Sequence, residues 1–236
     1  VSIMAGLPCT YSRPIAGNPC FAAVELGGLD RTVGCSFCQG PFRGAEDARA
    51  ATPDTPAVEL SLLQLRRYLE TAPAGRRTWR FRIDGALVFQ KLAEFLEKVL
   101  ALPLPRCEFH FCRRADELLA RADDLERWLP RLAKRGHVVV LWGMGVENFS
   151  PAENRRLNKG LTLAKFEETF ARLGGLERRC PKALVFFRRP GGAVISMVVF
   201  TPWTTLEDRS INAAAIRRLV RGDDAFPLTT RLVLFS

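Results

Sequence analysis

Three thiols, Cys20, Cys35 and Cys38, stand in a C-x14-C-x2-C arrangement, with an aromatic residue, Phe37, directly before the last of them. A Cys-x-x-Cys pair brings two sulfurs within reach of one metal centre. A third thiol from a nearby loop holds the metal while leaving one coordination position open, and an open position is where chemistry happens. Cys9 lies in the same stretch, whereas Cys107, Cys112 and Cys180 are far apart. Seven cysteines, an odd number crowded towards one end of a 236-residue chain, fit a metal site in a reducing compartment better than a disulfide scaffold.

A second constellation follows an apolar run: Gly143-Met144-Gly145-Val146-Glu147-Asn148, then Ser150-Pro151-Ala152-Glu153, then Asn158-Lys159-Gly160-Leu161-Thr162. Glycines at the C-terminal end of a strand let a flat ligand approach the backbone. A carboxylate there, Glu147, can accept a hydrogen bond from a ribose or an ammonium and is expected to stand exposed on the rim. Ser150 to Glu153 reads as a capping box with proline at the first helical position. Gly160 closes that short helix, and Thr162 caps the next.

Together these residues resemble the radical S-adenosylmethionine (SAM) superfamily. The segment from Gly143 to Thr162 is similar to the G-x-G-[IV]-E … N-K-G-x-T stretch of the branch that holds methylthiotransferases, elongator-type enzymes and cobalamin-dependent members. The thiol spacing departs from the usual C-x3-C-aromatic-x-C, since Arg31 stands where a cysteine would, but it is similar to a variant in some 7-carboxy-7-deazaguanine synthases. Asp84-Gly85-Ala86 occupies the place of a Gly-Gly-Glu motif, with alanine for its glutamate. Thr201-Pro202-Trp203-Thr204-Thr205-Leu206-Glu207-Asp208 resembles the turn after the fifth strand. The resemblance implies that Cys20, Cys35 and Cys38 hold a [4Fe-4S] cluster whose fourth iron is left for SAM. It places Phe37, Asp84, Gly85, Arg113, Gly145 and Glu147 about the cofactors; Cys20 is taken as the third ligand, with Cys9 the alternative to it. The implied reaction is one-electron reduction of SAM to methionine and a 5′-deoxyadenosyl radical that takes a hydrogen from substrate, fed by an electron donor such as a flavodoxin or ferredoxin. The substrate is not readable. With two His and two Tyr in the chain, proton transfer would fall to carboxylates, Arg or a thiol such as Cys112, and no catalytic residue is named.

The elements that must position these groups alternate. Thr78 to Ile83 puts Trp79, Phe81 and Ile83 on one face and Arg80 and Arg82 on the other, with Asp84 continuing the polar face. Cys107 to Cys112 sets Cys107, Phe109 and Phe111 against Glu108, His110 and Cys112. His137 to Gly143, Val194 to Thr201 and Thr229 to Phe235 read as further strands. Helices are expected from a cap at Ser61 to Pro73, over Leu87 to Leu100, and over Asp116 to Lys134, the last interrupted or kinked at Pro130 and ended near Gly136. Strands separated by helices imply parallel pairing, hence an α/β class. Polar faces on two consecutive strands of such a sheet are explained if it curves: aromatics pack outward under helices, and Arg80, Arg82, Glu108 and His110 line a lumen. The expected architecture is a partial (βα)6 TIM-like barrel of parallel strands forming one radical SAM core domain over 1–236. A lead-in loop takes up 1–20. A short strand over Ala22 to Leu26 would span about 17 Å and strain the assignment of Cys20.

A chain with 47% hydrophobic residues can bury a full core. It lacks an apolar run of about 18 residues and a basic-then-apolar leader, so a cytoplasmic protein with no membrane partner is expected, and its two ends suggest a fragment of a longer chain. The net charge of +10 is spread in pairs such as Arg66-Arg67 and Arg217-Arg218, which favours solvated helix faces over a nucleic-acid footprint. The competing class is a non-catalytic basic module that binds RNA and is stapled by zinc on Cys9, Cys20, Cys35 and Cys38.

Overall fold

The computed structural model describes residues 1–4, 11, 13–22, 33–36, 56–71, 77–186, 194–198, 201–220 and 231–232. Within them a seven-stranded sheet is parallel throughout: β1 (Ser2–Ile3), β2 (Trp79–Ile83), β3 (Cys107–Cys112), β4 (Val138–Glu147), β5 (Leu184–Val185), β6 (Val194–Met197) and β7 (Arg231–Leu232). The strands run side by side in chain order. β5 and β6 lie end to end along one edge of β4, Leu184 beside Val139 and Val194 beside Gly143. Among the described residues β1 and β7 remain unpaired edges, so the sheet is an open, partial TIM-like barrel.

Alternation fixes which way each strand faces. On β2, Trp79, Phe81 and Ile83 are buried while Arg80 and Arg82 are exposed; on β3, Cys107, Phe109 and Phe111 are wholly buried. Their apolar face is covered by α1 (Ala57–Thr71), α2 (Ala86–Gln90), α3 (Leu92–Ala101), α4 (Ala115–Ala120) and α5 (Ala122–Arg135). Phe95 of α3 meets Phe109 and Phe111 edge-on, with ring centres 5.5 and 6.2 Å apart. Burial of each such side chain contributes about 1.5–3 kcal/mol. On the opposite face one oxygen of Glu108 serves two partners, Arg80 Nε at 3.0 Å and His110 Nε2 at 3.0 Å. The mixed charges of the inner face thus satisfy one another.

Several boundaries differ from the sequence expectation. The stretch taken as a lead-in loop contains β1, whose Ser2 and Ile3 pair with Arg82 and Ile83. Ala22 ends a single 3-10 turn over Pro19–Phe21 instead of opening a strand, and residues 23–26 lie outside those described. α1 begins at Ala57, so Ser61 is a buried interior residue and not its cap. The next two expected helices are each broken once, at Lys91 and at Arg121, and Pro130 sits inside a helix that continues to the left-handed cap at Gly136. β4 runs four residues past Gly143, to Glu147, and therefore carries the glycine constellation within the strand itself.

Candidate functional site

In a parallel sheet all strand C-termini share one rim, and here Ile83, Cys112 and Glu147 end three neighbouring strands. Arg113 ties the three strands together just below this rim: its amide donates to the Gly143 carbonyl at 3.0 Å, and its guanidinium to the carbonyls of Cys112 at 2.9 Å and Ile83 at 3.4 Å. Arg113 is buried under these contacts rather than standing at the surface. Asp84 is engaged by Arg82 Nε at 2.7 Å, while the Arg82 guanidinium lies 5.1 Å from the centre of the Trp142 ring. Gly85 opens α2 at an extended φ of −140°.

Gly143 pairs with Cys112, and a β-carbon added at Gly143 would come 2.6 Å from the Cys112 sulfur. Residue 112 as a whole is open to solvent, but its sulfur is crowded against β4. The crowding dominates: burial pushes the thiol up, while Arg113, Arg82 and Lys159 pull it down and Asp84 adds to the rise. The same interactions place Arg82, Asp84, Arg113 and Lys159 around one point of the rim.

Glu147 departs from expectation. It is 8% exposed, its φ is 60°, and its carboxylate accepts a hydrogen bond from Lys159 Nζ at 3.1 Å. The expected exposed rim carboxylate is instead one half of a buried ion pair, whose ammonium comes from the Asn-Lys-Gly turn of the same motif. Gly145 lies beneath this pair; a β-carbon there would collide with Glu147 Oε1 and come 2.9 Å from Lys159 Nζ. The ion pair as placed thus takes the space that a side chain at 145 would fill.

That turn also holds the cysteine-bearing segments. α6 (Pro151–Arg156) starts under Ser150, whose side chain accepts from the amides of Ala152 and Glu153. The reciprocal half of the expected capping box is missing: Glu153 is fully buried, binds Arg156 and accepts from the Thr201 hydroxyl at 2.9 Å. The helix ends at Leu157, before Gly160, and Asn158 follows in the left-handed region at φ 50°. Its amide donates to the carbonyls of Arg13 at 3.1 Å and Gly34 at 2.6 Å, its side-chain oxygen accepts from Asn18 at 3.2 Å, and its own carbonyl accepts from the Tyr11 hydroxyl at 2.7 Å. Asn18 also receives the Cys20 amide at 3.0 Å, and Ser36 binds the carbonyls of Leu157 and Arg156. Gly160, at φ 68°, leaves room for Tyr11, whose hydroxyl would lie 2.7 Å from an added β-carbon. Thr162 then caps α7 (Leu163–Arg179) as expected, accepting from the Lys165 amide.

Cys20 is exposed and Cys35 half-buried, and both are thiols outside any disulfide. A guanidinium nitrogen of Arg114 approaches the Cys35 sulfur at 3.8 Å; Arg114 also forks onto Asp116, donates to the Lys159 carbonyl at 2.9 Å and lies over the Tyr11 ring at 3.7 Å. Burial pushes the Tyr11 phenol up, against the pull of Arg114. Phe37, Cys38 and Cys9 lie outside the described residues, among which no group of three His, Cys, Asp or Glu forms a metal site. Sequence reasoning selected Arg113 and passed over Arg114, Tyr11, Asn18 and the roles of Asn158 and Lys159. An Asn followed at once by Lys-Gly after a short helix was a signal for a left-handed turn; which segment it would grip was not.

No family model, curated protein or solved structure matches this chain.

Proposed function

We propose that the chain is a radical SAM enzyme acting on a substrate whose identity is open. The observation that carries the reading is convergence. Cys20 and Cys35, 15 residues apart, are both fixed by way of Asn18, Gly34 and Ser36 to the turn at 155–160 that also supplies Lys159 to Glu147. Segments more than a hundred residues apart in sequence thus meet at the strand C-termini, where parallel barrels hold their sites.

The described residues fit the implied cofactors as far as they reach. Thiolates are the donors an iron-sulfur cluster takes, and a guanidinium beside Cys35 is a hydrogen-bond donor of the kind that steadies a metal-bound sulfur. Cys20, Cys35 and Cys38 would hold the [4Fe-4S] cluster; the rim of Asp84, Gly85, Arg113, Gly145 and Glu147, together with Phe37, would face SAM. When bound, these cofactors supply reductive cleavage of SAM and hydrogen-atom abstraction. The chain's own part is to orient and to exclude water. Arg113 ties the ends of β2 and β3 to β4 at Gly143, the Glu147–Lys159 pair fills the space above Gly145, and Asn158 holds Asn18 and Gly34 beside the two described cysteines. A flavodoxin- or ferredoxin-like electron donor and a cytoplasmic setting belong to the same reading. No helix among the described residues is long and apolar enough to cross a membrane.

Anaerobic reconstitution tests it. The expected product is a brown protein with about four irons per chain, lost in Cys20→Ala, Cys35→Ala and Cys38→Ala but retained in Cys9→Ala. A colourless protein holding one tight zinc that depends on Cys9 as well would instead select the zinc-stapled, RNA-binding class.

A further inference from the structure

The opposite mouth of the barrel, where the strands begin, holds a cavity of about 770 Å³. Its lining follows from the topology. Arg106 and Lys182 stand in the short leads into β3 and β5, Gly136 and Val138 at the entry to β4, and Arg80 and Glu108 one residue into β2 and β3. Val140 and Val185 give it an apolar floor.

Charge decides what such a cavity suits. Three cations face one carboxylate, and Glu108 is already committed on a single oxygen to both Arg80 and His110. Arg106 and Lys182 form no ion pair among the described residues. Basic residues near this end are in part the usual complement to helix C-termini, as with Lys134 and Arg135 in the last turn of α5. Arg106, beside the Gly136 cap of α5, and Lys182, two residues past the Cys180 cap of α7, stand at helix ends too, but unlike Lys134 and Arg135 they also line the cavity. The Arg106 side chain is carried over Gly136, where an added β-carbon would meet its Cγ at 3.8 Å. The volume falls in the range of small-molecule sites, which join an apolar body to a few placed polar groups.

We infer that this cavity binds a phosphate monoester with an apolar or planar body, its phosphate between Arg106 and Lys182 and its body against Val138, Val140 and Val185. The inference goes beyond the radical SAM reading and does not depend on it, since the cavity lies at the other end of the strands from the cysteine loop.

Calorimetric titration of the full chain with AMP, adenosine and inorganic phosphate tests it. AMP should bind saturably and more tightly than phosphate, adenosine should not bind, and affinity should fall as salt rises. Arg106→Ala and Lys182→Ala, both at exposed positions, should each weaken AMP roughly three- to tenfold with an unchanged circular dichroism spectrum. Cys35→Ala should leave AMP binding intact and so keeps the outcome separate from that of the cluster. AMP binding that is absent, that adenosine matches, that is unchanged in both cation substitutions, or that is lost in Cys35→Ala would overturn the inference.

Discussion

Gly145 shows how closely the rim is specified at the level of single residues. Its missing side chain is the space taken by the Glu147–Lys159 pair, and both partners are buried, their side chains 10% and 5% exposed. Removing one partner of a buried pair costs more than the pair contributes, because the other charge stays desolvated. Glu147→Ala should therefore lower stability by about 3–5 kcal/mol, while Glu147→Leu with Lys159→Met should lose clearly less. Denaturant midpoints read both, and an unchanged midpoint in Glu147→Ala would refute the buried pairing. The thiols offer a second test. Burial pushes Cys107 up to about 12, whereas Cys20 is exposed. With iodoacetamide near pH 8, folded protein should be modified at Cys20 and spared at Cys107 until denatured; labelling of Cys107 at the rate of Cys20 would show that β3 is not covered as described. At this scale the sequence indicated Gly145 and Glu147 as a unit and put Lys159 in the same motif. It could not reveal their contact, because whether a turn folds back over a strand depends on φ at Asn158 and on what lies above it.

Among the elements, the turn after α6 has the longest reach. Asn158 holds Arg13, Asn18, Gly34 and Tyr11 from a conformation that glycine also tolerates, so Asn158→Gly removes the side-chain contacts while sparing the backbone. The cysteine loop should then loosen without loss of the barrel. Cys35 should label at least about tenfold faster, as expected when hydrogen bonds worth about 1 kcal/mol each are lost, while the global midpoint falls only modestly. Equal labelling rates would show that the loop is held by other contacts. Helix breaks were harder to read for a specific reason. Leu118, Ala122, Leu125, Leu129 and Leu132 are all buried, and their three- and four-residue spacing runs straight across the break at Arg121. The apolar seam therefore describes one helix even where the backbone makes two, and Pro130, the residue that sequence chemistry marks as a breaker, is accommodated.

Across the whole molecule, the class was legible wherever strands were long enough to alternate, as β2 and β3 are. β1 was not, since two residues have no period; it is defined by pairing with Arg82 and Ile83 and by Gln64, whose side chain binds both main-chain groups of Met4. The join between α8 (Leu206–Val220) and the rest was likewise hidden, because it is polar. Asp208 accepts from Ser150, from the amide and hydroxyl of Thr205 and from Arg156, while Asn212 accepts the Phe149 amide at 2.8 Å. Burial alone would raise the Asp208 carboxyl, but the hydrogen bonds from Ser150 and Thr205, with Arg156, outweigh it and hold the pKa down from 3.8 to about 2. A carboxyl depressed in the folded state contributes stability that is complete above its unfolded pKa and is lost as pH falls towards the folded value. Between about pH 4 and pH 2 the attachment of α8 should weaken while the apolar seams of α3 and α5, which hold no titrating group in their buried faces, persist. Hydrogen exchange followed down this range should show α8 opening before α3 and α5. Asp208→Asn should be less stable at neutral pH and should show a flatter decline. If the substituted and native chains lose α8 along the same pH curve, the junction is not held by this carboxylate.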